Sequence, residues 1–353
     1  MKRKQLFVGM LVGGLASGQM VRADATTDAI EELKQQIQQL DQKVRVLERQ
    51  KELEVEASDA KAKEAPKITI GNAGLSAASG DTNFVFQLHG LLQMDNRTFF
   101  HDNDSHGKSI PGNDTFLLRR ARPIFSGTVY KDFDFNFTPD FAGSSVQIFD
   151  AYLNYRYAPW LQLRGGKFKV PVGLEQLQSD PVTFFSERAL PSALIPGRDI
   201  GFQLWGDVAQ GRVSYAVGVF NGVGDGRNTA NSDFEDHREF AGRLFFLPFK
   251  GGSVGALQNL GVGVGGSWGN VSSNATGLAS AYLTDGQQQF FTYTNSAVVA
   301  NGEHWRVSPQ GYYFYGPLGC LGEYVISDQS VTKGATSATL QNTAWKIAGS
   351  WVL

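Results

Sequence analysis

The chain has 353 residues, with 34 acidic against 32 basic side chains and a formal net charge of −2, so it carries no basic field of the kind that holds nucleic acid. Its 41 glycines, 25 phenylalanines and 11 tyrosines, beside 19% charged residues, favour a sheet-rich protein with many tight turns over a helical one. Cys320 is the single cysteine, which excludes an intrachain disulfide, and it reads as a small buried apolar side chain rather than a nucleophile.

At the N-terminus Lys2, Arg3 and Lys4 precede LFVGMLVGGLASG, and Val21-Arg22-Ala23 stands before Asp24. A positive region, a short apolar region and small residues at −3 and −1 predict a secretory signal over residues 1–23, cut after Ala23. The apolar run is short for the roughly 20 residues of a transmembrane helix. Next, Ile30, Leu33, Ile37, Leu40, Val44 and Leu47 recur at alternating spacings of three and four, which predicts a short coiled coil within residues 24–56, with a solvated single helix as the alternative. EASDAKAKEAPK and the weakly patterned block after it read as a linker over 57–83.

From Phe84 onward strands are predicted near 84–96, 116–130, 133–142, 146–158, 160–170, 199–207, 211–221, 238–249, 259–270, 305–316, 318–328 and 341–353. Long and short connections mostly alternate, the asymmetry of an outer-membrane barrel with short periplasmic turns and long extracellular loops. FDFNFTPDF, residues 133–141, places Phe133, Phe135, Phe137 and Phe141 on one face and Asp134, Asn136, Thr138 and Asp140 on the other. Phe84, Phe86, Leu88, Leu92 and Met94 oppose Gln87, His89, Gln93 and Asp95 in the same way. Such a repeat in strand after strand fits lipid outside and water inside, with all backbone polar groups satisfied by closing the sheet. Tyr130, Tyr157, Trp160, Trp268 and Trp305 fall near strand ends, where aromatic girdles lie.

No catalytic constellation emerges. HDNDSHG offers His101, Asp102, Asp104 and His106 to a metal, but the twelfth position from Asp102 is Asn113 rather than Glu, so a solvated loop is the better reading. The glycines of GVGVGG, 261–266, lie in a strand and open no helix, and no Gly-x-Ser-x-Gly elbow is present. No metal and no cofactor is expected. In FLLRRARPIFSGTVY, Arg120 and Arg122 share the face of Ser126 and Thr128 and are expected in the lumen, whereas Arg119 has the opposite parity and is expected at the outer rim. Arg156 has lumen parity, and Arg164 and Arg243 are further candidates. Arginine stays charged and presents a fork suited to oxyanions, and rings of such residues make pores favour anions. The competing reading pairs these arginines with Asp134, Asp140 and Asp150 to fill a polar interior.

GGKFKVPVGLEQLQSDPVTFFSERALPSALIPGRDIGFQLWG, residues 165–206, resembles the signature region of the phosphate-selective porin family, the porin O and P type. FLLRRARPIFSGTVYKDFDF, DAYLNYRY, EFAGRLFFLPFK and SPQGYYFYGPLGCLGEY resemble further blocks of that family in the same order, over roughly residues 84–353. The resemblance implies an all-β, antiparallel up-and-down barrel of sixteen strands in the outer membrane, assembled as a homotrimer in contact with outer-membrane lipid. Its third long connection would fold into the lumen, and an arginine ladder with a lysine cluster would draw in phosphate or longer phosphates. Carried over to this chain, the ladder candidates are Arg119, Arg120 and Arg122. The constriction loop would be Pro171 to Arg198, with Lys167 and Lys169 at its root, Arg188 and Arg198 within it, and Glu175, Asp180 and Glu187 as its acids. Against sixteen strands the twelve read here suggest that the chain stops short at Leu353. The expected function is passive passage of small phosphate-like anions without chemistry; a weakly selective general porin and a non-conducting structural or adhesive barrel are the alternatives.

Overall fold

In the computed structural model residues 22–72, 74–99, 114–143, 145–230, 236–274, 281–283, 289–292 and 297–352 are described. The signal segment, apart from Arg22 and Ala23, and the HDNDSHG loop lie outside them. The chain divides after Ala65 into two units.

The first unit is a helix, α1 (Arg22–Glu64). Ile30, Leu33, Ile37, Leu40, Val44 and Leu47 are all exposed along it. It outruns the predicted end at residue 56 because EASDAKAKE is rich in Ala, Lys and Glu, all good helix formers. The expected linker is therefore corrected: its first part is helix, and Lys67–Gly71 pairs antiparallel with Gly74–Ala78, strands of five residues each and too short for their alternation to stand out in the sequence.

The second unit is built of strands. In chain order they are β1 (Lys67–Gly71), β2 (Gly74–Ala78), β3 (Val85–Arg97), β4 (Thr115–Val129), β5 (Phe133–Asp140), β6 (Gln147–Ala158) and β7 (Leu161–Lys169). A one-turn helix, α2 (Leu174–Leu177), precedes β8 (Arg198–Val208), β9 (Val213–Phe220), β10 (Glu239–Phe246) and β11 (Leu260–Asn274). The series ends with β12 (Ala281–Leu283), β13 (Gln289–Thr292), β14 (Val299–Tyr315), β15 (Leu318–Lys333) and β16 (Thr336–Trp351). All but β12 and β13, which pair with each other, form one 14-stranded sheet in sequence order, every neighbour antiparallel, with β1 and β16 at its ends. Each of the twelve strands expected from residue 84 onward is present.

The sheet is apolar outside and polar inside. Phe86, Leu92, Met94, Phe202, Leu204, Val217, Phe240, Leu244 and Ile347 are exposed, while Asn154, Gln203, Ser308, Gln310 and Glu323 on the other face are buried. Tyr130, Tyr157 and Trp160 are exposed at strand ends, with Tyr157 and Trp160 in edge-to-face contact, whereas Trp268 and Trp305, expected near strand ends, pair within the β11–β14 ladder because both strands run on past them. No helix among the described residues is long and apolar enough to cross a bilayer; the apolar surface belongs to the strands.

The sheet curls around the connection between β7 and β8. β4 and β16 are ten strand steps apart in the sheet order, which would be about 48 Å if it were flat. Yet Asp180 of the connection pairs with Arg122 on β4, and Glu175, five residues earlier, pairs with Lys346 on β16. Five residues span at most about 18 Å, so the two strands must approach the same loop from opposite sides.

Two expectations on parity are corrected. A register shift between Gln93 and Met94 pairs Gln93 with Arg120 and Met94 with Leu118, leaving Arg119 as the extra residue of a β-bulge. The bulge turns Arg119 inward, to Glu187, rather than to the outer rim. Cys320 is exposed, not buried, because inward positions on β15 belong to Leu321, Glu323 and Val325.

A bilayer as the solvent of the outer face makes a checkable prediction. Leu204→Arg, an outward mid-strand change, is expected to lower unfolding stability in lipid by about 2–4 kcal/mol. Asn136→Ser on the lumen face is expected to cost less than about 1 kcal/mol. Urea titrations of both variants in vesicles measure this, and equal losses would remove the assignment of faces.

Candidate functional site

The connection 170–197 enters the curl of the sheet because its own residues are apolar where it meets the wall. Val170, Val172, Leu194 and Ile195 are buried with Phe168, Phe220, Ala241 and Val325. Leu174 is buried with Phe245 and Leu321. Burying such a side chain is worth about 1.5–3 kcal/mol relative to leaving it exposed. At Gly265 on β11 the loop backbone comes so close that a Cβ there would lie 2.0 Å from the carbonyl oxygen of Val172. Gly265 of GVGVGG thus serves a close approach of two backbones.

Polar contacts fasten the loop on both sides. The Glu323 carboxylate accepts from the amides of Leu174 (2.8 Å) and Glu175 (3.3 Å) and from Ser308 Oγ (2.9 Å). Gln310 Nε2 donates to the Val172 carbonyl at 2.8 Å, and Lys346 pairs with buried Glu175. Across the lumen Asp180 pairs with Arg120 (3.3 Å), Arg122 and Arg188. Burial works against its charge, but Arg188, Arg120, Arg122 and Lys169 outweigh it and hold the Asp180 carboxyl well below the usual carboxylate range. Glu187 pairs with Arg97 (3.7 Å), Arg119 (3.1 Å) and Arg120 (3.9 Å). Arg122 also binds Asp140, and Arg198 makes two 3.1 Å contacts to Asp150. Arg122 and Arg198 lie over the Phe149 ring, at 3.9 and 4.5 Å.

Two cavities border this loop. The mouth cavity, toward the long connections, has a volume of about 540 Å³ and is lined by Arg119, Arg120, Arg122, Arg188, Arg198 and Arg227 against Asp180 and Asp225. The inner cavity, toward the short turns, has a volume of about 490 Å³ and is lined by Arg122, Arg164, Lys169, Arg198 and Arg243 against Asp150 and Asp180. Arg122, Asp180 and Arg198 border both, which places the boundary between the cavities at these side chains. Cations outnumber carboxylates on each, although the chain as a whole is slightly acidic.

The sequence-derived candidates separate accordingly. Arg119, Arg120, Arg122, Arg188 and Arg198 converge on the mouth cavity, and Arg164, Lys169 and Arg243 on the inner one. Lys169 Nζ donates to the Gln178 carbonyl at 2.5 Å, and Arg243 Nε to Gln310 Oε1 at 2.9 Å. Two candidates lie elsewhere: Arg156 pairs with Asp134 (3.0 Å) beside the turn after β4, and Lys167 Nζ donates to the Thr229 carbonyl at 2.7 Å. Sequence reasoning missed Arg306, which is fully enclosed by Asp225 (2.7 Å), Glu239 (2.8 Å) and the Val223 carbonyl (2.7 Å). The signal was there in His304-Trp-Arg306-Val-Ser308-Pro-Gln310, whose alternate polar residues all face inward. This cluster ties the connection after β9 to β14. Burial opposes the charge of Asp225, but Arg306 and His304 outweigh it and hold its carboxyl below the usual range. His304 uses one nitrogen, Nε2, toward both Ser327 (3.2 Å) and Asp225 (3.3 Å), whereas a catalytic relay needs one ring nitrogen for each. Among the described residues no group of three or more His, Cys, Asp or Glu could hold a metal.

Removing the shared carboxylate should release the loop, because breaking a buried ion cluster costs about 3–5 kcal/mol. Asp180→Asn is therefore expected to make residues 180–190 readily cleaved by protease in the folded protein. The lowered carboxyl keeps the cluster's contribution complete above the ordinary range, losing it only as pH falls through the lowered value, so wild-type cleavage at about pH 4.5 should match that at pH 7. A pH-dependent opening between these values would contradict the cluster's role.

No curated protein matches the chain. Among solved structures, OmpT, an outer membrane protein of Vibrio cholerae, aligns over 81% of this chain and 73% of its own with 13% identity and a TM-score of 0.40. The outer membrane channel DcaP of Acinetobacter baumannii aligns over 80% of this chain and 99% of its own with 13% identity and a TM-score of 0.28. The family model for phosphate-selective porin O and P matches residues 87–353, from β3 through β16. The chain belongs to the phosphate-selective porin O and P family and is an outer-membrane porin.

Proposed function

We propose that the chain is a passive channel for small anions, favouring phosphate or polyphosphate through its lumen arginines and lysines, and that it carries out no chemistry of its own. The observation that supports this reading is the excess of cations on both cavities of a protein with net negative charge. Fixed cations at a narrow point raise the local anion concentration, and carboxylates beside them keep binding weak enough for release. Arg119, Arg120 and Arg188 receive the ion at the mouth, Arg122 and Arg198 pass it across the boundary, and Arg164, Lys169 and Arg243 take it on the inner side. The export signal ending at Ala23, self-association of α1 through its exposed apolar stripe as a coiled coil, and a homotrimeric barrel belong to the same proposal.

A weakly selective general porin is the second reading, favoured by the carboxylate partners of Arg119, Arg120, Arg122 and Arg198. Planar-bilayer recordings separate the two. The anion channel predicts a reversal potential displaced toward chloride in a salt gradient and saturable block of chloride current by phosphate. Arg120→Ala combined with Arg122→Ala leaves Asp140 without its guanidinium partner and Asp180 with fewer, so anion-over-cation permeability should fall several-fold. Unchanged permeability in the double variant would favour the general porin. Deleting residues 24–56 is expected to alter assembly and leave single-channel conductance intact.

A further inference from the structure

Not every apolar side chain of the loop is buried against the wall. Leu190 stands 45% exposed at the start of the short turn Leu190–Ala193, which packs on β16. Beside it β12 and β13 bring Tyr282 and Phe291, register partners whose rings lie 6.0 Å apart, and Phe291 is 46% exposed. With Ala193, Leu194 and Ala344 these side chains line a further cavity, of about 220 Å³. Its walls are tied together: Asn342 Nδ2 on β16 donates to the Tyr282 hydroxyl at 3.0 Å, and that hydroxyl donates to Asp225 at 3.4 Å. An apolar cavity of about 150 Å³ lined by such side chains takes benzene, so this one has room for a single ring. Leu190, Ala193 and Tyr282 line the mouth cavity as well, so an apolar chamber adjoins the one bordered by Arg119, Arg120, Arg188 and Arg227. The acid that Tyr282 touches, Asp225, is engaged by Arg306 at 2.7 Å and so sets little open negative charge at the junction.

We propose that this chamber binds the ring of an aromatic carboxylate whose charged head faces the arginines of the mouth cavity. The inference rests on the anion-channel reading and carries it from inorganic ions to organic ones. Ligand sites are mostly apolar, with a few polar groups that fix orientation, and here the two parts lie in adjoining chambers. The ring covers Leu190 and Phe291, which otherwise leave apolar surface in water, and that burial is the favourable term. The carboxylate supplies the charge that the mouth arginines attract, so a neutral ring gains only the first part and a small hydrophilic anion only the second. A cavity of this size holds one ring and no more, which sets the class of ligand as a single aromatic ring joined directly to its anionic head.

The test is block of chloride current at about pH 7 by sodium benzoate, sodium acetate and benzamide, with the full chain in planar bilayers. Benzoate and acetate carry the same ionised head there, so their ratio reads the chamber alone. A methylene in a closed apolar pocket is worth about 10–200-fold, and in a partly open chamber benzoate should half-block at about one-tenth the acetate concentration. Benzamide, which keeps the ring without the charge, should need a concentration several-fold above that of benzoate. Leu190→Gln, a change at an exposed side chain, should bring benzoate and acetate together by weakening benzoate. Ala344→Leu, which fills the chamber from β16, serves as a second variant and should do the same. Reversal potentials in the same recordings report that each variant is a folded, anion-preferring channel. A wild-type ratio near one, a ratio unchanged in both conducting variants, or benzamide as effective as benzoate overturns the chamber's role and leaves the anion channel standing. A wild type with no anion preference overturns the channel reading and this site with it.

Discussion

The carboxylate of Asp180 lies among three guanidinium groups, and the position of the constriction follows from that contact. Arg120 and Arg122 come from the wall and Arg188 from the loop itself, so one acid joins the loop to the wall. Without it the loop would bring two cationic surfaces together, which repel at short range in a poorly screened interior. With it, the loop can cross the lumen while the cavities on either side keep a surplus of positive charge. The apolar anchor of Val172, Leu174 and Ile195 holds the far side but has no directional preference, so the ion cluster is what fixes where the two cavities meet.

Alternation made the strands legible. FDFNFTPDF can serve two solvents only as a strand, and Asn136 and Thr138 indeed line the inner cavity while Phe137 and Phe141 are exposed. Period-two patterns survive because each face meets a single medium over most of its length. Where the medium changes, the pattern misleads. Leu321 and Val325 face inward although they are apolar, because the loop brings its own hydrophobic cluster to meet them, and Cys320 is thereby left on the outside.

The candidate site was legible as residue types and only partly as geometry. RRAR announced itself by charge, yet a bulge at Arg119 reverses one side chain, and a bulge leaves no mark in an alternation of charged residues. Asp140 and Asp180 lie 18 and 58 residues from Arg122, separations at which no sequence period exists to be read. Arg306 was hidden for the opposite reason: its strand pattern was clear, but its acids come from the connection after β9 and the start of β10, and nothing local shows that they meet.

The contact between Glu175 and Lys346 joins residues 171 positions apart, and Glu323 reaches Leu174 across 149. Contacts of such separation are entropically remote and form late. During assembly the early strands can pair hairpin by hairpin, but the polar hold on the second side of the loop after β7 is complete only when β14, β15 and β16 bring Gln310, Glu323 and Lys346. A nascent barrel therefore passes through a wide-mouthed stage, and its narrow point is set only when the final strands are in place. The narrow point is then acquired as a step in biogenesis, after the sheet itself exists.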